Sequence, residues 1–108
     1  GNVSSGVRGI FAGGKTSATG GNSNVIKYVT IATTGSGADF GDLTASLNNL
    51  ASCGSSTRGL FLAGAGSANS NVISYVTIAT TGNAADFGDI TIAEATFISG
   101  CSNSHGGL

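Results

Sequence analysis

Lys15 and Thr16 close the run Gly9-Ile10-Phe11-Ala12-Gly13-Gly14-Lys15-Thr16, a literal match to the phosphate-binding pattern GxxxxGK[ST]. That pattern works when the loop follows a strand and opens a helix whose N-terminal amides face the phosphates. Here Ile10-Phe11-Ala12 itself reads as the strand, and residues 17–24 are a poor helix start. The equivalent stretch from Gly59 to Gly66 has neither lysine nor threonine in place. Nucleotide binding is therefore not expected.

Asp39-Phe40-Gly41 and Asp86-Phe87-Gly88 spell the metal-binding triplet of protein kinases without any other kinase feature. Their expected role is mechanical: aspartate and glycine set turns beside a strand, and phenylalanine packs between repeats. Asp39, Asp42, Asp86 and Asp89 recur, but calcium takes about six to eight oxygens, which two carboxylates per repeat supply only in part. His105 is the single histidine, in a terminal turn, and no Gly-x-Ser-x-Gly elbow accompanies it. Tyr28 and Tyr75 lie on the most apolar strands, which favours core packing over sugar stacking. Arg8 and Arg58 sit at matching strand starts and are expected to hydrogen-bond carbonyls or carboxylates of a neighbouring repeat. Cys53 and Cys101 occupy near-equivalent repeat positions, about one sheet-packing distance, ~10 Å, apart. A disulfide needs Cα atoms within about 7 Å, so two free, buried thiols are expected. Two cysteines without a histidine cluster are too few for zinc. Asn2-Val3-Ser4 is a lone, weak glycosylation-type sequon. No catalytic constellation emerges, and the expectation is a protein without enzymatic activity, cofactor or metal.

The elements that position these residues are written twice. Ser23 to Thr44 returns 47 residues later as Ser70 to Thr91, with 18 of 22 positions identical; the exceptions are Lys27/Ser74, Ser36/Asn83, Gly37/Ala84 and Leu43/Ile90. A period of this size belongs to stacked or circular repeat architectures, in which one unit cannot bury its own apolar faces. The 108 residues bound the chain to one ordinary domain at most, and 40 % apolar residues are enough for a core despite 19 glycines. Four Lys/Arg and five Asp/Glu build no basic patch, so nucleic-acid binding by phosphate neutralisation is not expected. No apolar run approaches the roughly 18–20 residues of a membrane helix, and the first residues lack the regions of a signal peptide. The sequence holds no methionine, which points to a processed start or a piece of a longer polypeptide. A Ser/Thr/Asn/Gly-rich surface with 8 % charge leans towards extracellular and virion proteins.

Val7–Ala12 and Arg58–Ala63 read as short strands running into glycine. Two loops of unequal length follow, Lys15 to Asn22 and Ala65 to Asn69, a surface tip where length varies. Val25–Ala32 and Val72–Ala79 are the clearest strands, apolar on both faces and so expected to be packed on both sides. Thr33-Thr34-Gly35 and Thr80-Thr81-Gly82 are expected to turn through glycine at positive φ. Phe40–Thr44 and Phe87–Ile92 follow, then Leu47–Cys53 and Ala95–Cys101 as a fourth strand of each repeat. Leu43 to Leu50 has helix-like spacing, but its counterpart is strand-like, and strand is preferred for both. The units are residues 1–57, entering at the second strand of a blade, and 58–108, ending just inside a third copy.

Four short strands per ~47 residues, without proline, match one blade of a β-propeller. The glycine doublet in Gly9-Ile10-Phe11-Ala12-Gly13-Gly14 and the segment from Val76 to Ile90 resemble kelch-type repeats, across both copies. Phe40 and Phe87 stand where kelch has tryptophan, and the second doublet is reduced to Gly64. The wording Tyr-Val-Thr-Ile-Ala-Thr-Thr-Gly-Asn-Ala-Ala-Asp-Phe-Gly-Asp resembles kelch-like repeats of phage and metagenomic virion proteins, often tail-associated. The resemblance implies an all-β fold of two four-stranded blades and a structural or receptor-binding role in a virion or outside the cell. Closure is expected from three or four copies of the chain or from further repeats. The alternative is a carbohydrate-binding, lectin-like propeller, with Lys15, Thr16, Asn22, Ser67 and Asn69 in the variable loops as candidate ligand residues. An elongated β-solenoid or trimeric fibre segment is the non-propeller possibility.

Overall fold

A computed structural model describes residues 1–94 and 99–102. Among them the chain is all-β, eight strands and no helix: β1 Asn2–Ser4, β2 Arg8–Ala12, β3 Val25–Thr30, β4 Ala38–Asp42, β5 Ala51–Gly54, β6 Arg58–Ala65, β7 Asn69–Thr77 and β8 Ala85–Glu94. They form two antiparallel four-stranded meanders, β1-β2-β3-β4 and β5-β6-β7-β8. The segment expected to give the first repeat a fourth strand, Leu47–Cys53, contributes only Ala51–Gly54, and pairs forward with β6. Two local causes act. Asn49 at φ 53° bends the chain, and buried Asn48 exchanges both backbone hydrogen bonds with Ala65 of the second sheet (2.8 and 2.9 Å). The Ser55 hydroxyl then accepts from the Thr57 and Arg58 amides (3.2 Å each) and folds β5 onto β6. The fourth strand of the first sheet is instead Asn2–Ser4, turned onto β2 by the same device at Ser5. Residues 43–50 are neither helix nor strand; Leu43 and Leu47 are buried there. The expected counterpart strand at 95–101, and the copy beginning at His105, lie largely outside the described residues.

The Asp-Phe-Gly triplets are β-bulges inside strands rather than turns beside them. Lys27 faces Asp39 and Ile26 faces Gly41, which leaves Phe40 as the extra residue; Ser74, Asp86, Ile73 and Gly88 repeat this around Phe87. Glycine at φ 151° and 148° permits the kink, and Asp86 Oδ1 accepts from the Gly88 amide at 2.9 Å. The turns after β3 and β7 close by Thr33 N to Thr30 O and Thr80 N to Thr77 O (3.3 Å each). Gly35 and Gly82 do not take positive φ there. Gly82 serves a close approach instead, its amide donating to Phe40 O at 2.8 Å across the sheets.

Alternation gives each sheet two apolar faces, and one face of each meets the other. Val3, Ile10, Ala12, Ile26 and Phe40 of the first sheet pack against Phe61, Val76 and Ile78 of the second in one core. Ile10, Ile26, Phe61 and Ile78 are fully buried, each stabilising by about 1.5–3 kcal/mol through burial. Among the described residues the remaining faces are uncovered, so packing on both sides is realised there on one side of each sheet only. Both cysteines are free; Cys53 is half-buried and Cys101 exposed, against the expectation of burial. Cys53 lies on β5 facing the open side of the second sheet, opposite Leu60, which explains its accessibility.

Candidate functional site: the loop cleft between the sheets

The two unequal loops stand at the same end of the molecule and enclose a cleft of about 540 Å³. Asn22 and Gly21 line it from the first loop, Ser67 from the second, Asn69 and Ser70 from the start of β7, with Ser46 and Leu47 of the linker between. β6 and β7 extend into the expected loop Ala65 to Asn69 and leave only residues 66–68 outside strands. Three of the five candidate ligand residues, Asn22, Ser67 and Asn69, therefore share one cavity. Lys15 and Thr16 are exposed and do not line it. They belong to a hairpin: Lys15 bridges Asn22, and both the amide and the hydroxyl of Thr16 donate to Gly21 O (3.0 and 2.9 Å). A hairpin after Gly13-Gly14, not a helix, is the wrong geometry for a phosphate loop.

Asn48, which sequence reasoning passed over, does not line the cleft but holds the lining residue Asn22 in place. Its side-chain amide donates to Asn22 Oδ1, and Asn22 Nδ2 donates to Ala65 O at 3.1 Å. First loop, linker and second sheet are thus tied by one amide network. The available signal was a polar pair, Asn48-Asn49, inside an otherwise apolar segment. Among the described residues the cleft lining offers amide and hydroxyl groups and no charged side chain, which suits a neutral, hydroxyl-rich ligand.

The remaining residues that suggested chemistry are engaged in packing. The Arg8 guanidinium lies 4.4 Å from the Tyr28 ring centroid, Tyr28 meets Phe40 edge-on at 6.0 Å, and Arg8 Nη1 donates to Ile78 O of the second sheet at 2.9 Å. The expected reach of Arg8 to a neighbouring repeat's carbonyl is met. Arg58, Tyr75 and Phe87 repeat the stack (4.8 and 6.0 Å) on the open face. Among the described residues no three His, Cys, Asp or Glu side chains gather as metal ligands; His105 lies outside those residues. Asp42 meets the second sheet through its backbone, its amide donating to Asn83 Oδ1 (3.0 Å) and its carbonyl accepting from Ala84 (2.8 Å). Comparison with known protein families and with curated proteins finds no match to this chain.

Proposed function

We propose that this chain is a non-enzymatic structural and interaction module: two blades of a kelch-like β-propeller in a phage virion, tail-associated, or in another extracellular assembly. The observation that carries this reading is the use of the repeat signature. Arg-Tyr-Phe stacks and Asp-Phe-Gly bulges shape sheets for face-to-face stacking, and no polar constellation is left over for catalysis among the described residues. The sparse charge and Ser/Thr/Asn/Gly-rich surface support a place outside the cell. Closure by three or four copies, or by further repeats, would cover the open faces. Low-resolution imaging of the particle is the test: a closed disc is expected, and a rod would replace the propeller with a solenoid or fibre.

A second reading, a glycan-binding propeller, is favoured by the amide and hydroxyl groups that Asn22, Ser67 and Asn69 bring to one cleft. Receptor contact would then run through this end of the module. Binding on a glycan array that is lost in Asn69→Ala is the expected result, and an array without signal removes this reading.

A further inference from the structure

The two sheets are near-copies, so the contact between them shows what each copy is built to touch. The first sheet presents Phe40, 3 % exposed, under the turn of the second; the equivalent Phe87 on the second sheet is 52 % exposed. In return the second sheet presents Ile78, 1 % exposed, and its equivalent Ile31 on the first is 53 % exposed. Phe61 and Phe11 repeat the contrast, at 1 % and 50 %. Half of each contact surface is therefore left open, and the two open halves are complementary, because their equivalents already fit each other within the chain.

We propose that the Phe87 face of the second sheet docks the Ile31 face of the first sheet of a second copy of this chain, head to tail, reproducing the internal contact. This rests on the reading of the protein as a self-assembling blade module and names the surfaces it uses. Polar detail agrees with the apolar pattern. Arg8 reaches the Ile78 carbonyl; Arg58, exposed on the open face, reaches the second copy's Ile31 carbonyl in the same way. Asp42 and Asn83 are joined at 3.0 Å, which sets Asp89 beside the second copy's Ser36. A Cβ on Gly41 would overlap the Gly82 carbonyl, whereas one on Gly88 meets nothing within 4 Å, as expected for a seat prepared for the second copy's Gly35. The small cleft walled by Phe40 and the Thr80–Asn83 turn has a counterpart at the Thr33–Ser36 turn that lacks a phenylalanine wall. On docking, Phe87 becomes that wall for the turn of the second copy. The contact is heterologous, joining different patches, so it propagates into a ring or an open array.

Cross-linking tests it. Ser36→Cys and Asp89→Cys are made singly in a Cys53→Ser/Cys101→Ser background and treated with a short bis-maleimide. Dimer is expected only when the two variants are mixed, and Phe87→Asp placed in the Asp89→Cys variant is expected to weaken that association roughly tenfold or more, while the same change in the Ser36→Cys variant leaves the cross-link. Far-UV circular dichroism checks the fold, and Ile31→Asp probes the opposite face should Phe87→Asp unfold. Dimer from Asp89→Cys alone, at the yield of the mixture, overturns the head-to-tail contact. An assembly by native mass without product from the mixture also overturns it, and leaves the blade-module reading standing. A persistent monomer overturns it too, and leaves that reading only as further repeats within a longer polypeptide.

Discussion

Gly41 and Gly88 hold the same bulge in the same triplet at nearly the same positive φ, yet they sit in different surroundings. Alanine at either position suffers the backbone strain of that φ, about 1–3 kcal/mol. Only at Gly41 does the added methyl also meet the Gly82 backbone of the facing sheet, adding ~1–3 kcal/mol of overpacking. Urea unfolding of the two variants as dilute single chains should therefore show Gly41→Ala the more destabilised, and the difference isolates the close approach of the sheets. Equal losses would mean that this approach is not rigid. Gly13 belongs to the same logic: it takes φ 67°, where a Cβ would lie 2.6 Å from Leu47 O, while Ala63 takes φ 51° in the second sheet. The second repeat tolerates a side chain at that bend because its surroundings differ, not because the backbone does.

At the scale of strands, the Arg-Tyr-Phe stack appears twice but joins sheets once. Arg8→Ala removes a charge-assisted hydrogen bond to Ile78 O, about 1.5–3 kcal/mol, with a cation–π contact of ~0.5–1 kcal/mol. Arg58→Ala in the monomer removes only the second of these, so a smaller loss is expected in the same thermal or urea scan. Asn48→Ala should cost ~1–3 kcal/mol, because it strips the amide network that seats the linker between first loop and second sheet. Protection of the Ala65 amide in hydrogen exchange should fall with it, since Ala65 N donates to Asn48 O. These elements also mark how far the sequence was legible. The strands expected at Val25–Ala32 and Val72–Ala79 were plain from β-branched alternation and are found at Val25–Thr30 and Asn69–Thr77, the second starting three residues early in the expected loop. The repeat told that both sheets share one plan. The allegiance of Ala51–Gly54 was not, because a short apolar segment pairs with whichever neighbour its turn selects, and Ser55 does the selecting. The bulges were hidden for a related reason: Asp-Phe-Gly suits both a turn and a bulge, and register across β3 and β4 decides between them. The cleft was half legible. Unequal loop lengths flagged Asn22, Ser67 and Asn69, but only tertiary folding separates them from Lys15 and Thr16.

For the molecule as a whole, quasi-equivalent positions become a gauge of assembly. Ile10 is fully buried between the sheets; its equivalent Leu60 is only half-buried, on the open face of the second sheet. Truncating Ile10 to alanine opens a cavity in a closed core and should cost ~2–5 kcal/mol at any protein concentration. Truncating Leu60 removes side-chain surface that is still partly wet in a single chain, so roughly half that loss is expected when the protein is dilute. Association adds stability by mass action, and groups that become buried on docking then contribute fully. The cost of Leu60→Ala should accordingly rise with protein concentration while that of Ile10→Ala stays constant. Urea titrations of both variants at a dilute and a concentrated condition give the comparison. Parallel behaviour of the two, with no dependence of the Leu60 loss on concentration, would show that the Phe87 face stays open to water and that the second sheet is stable with one side uncovered.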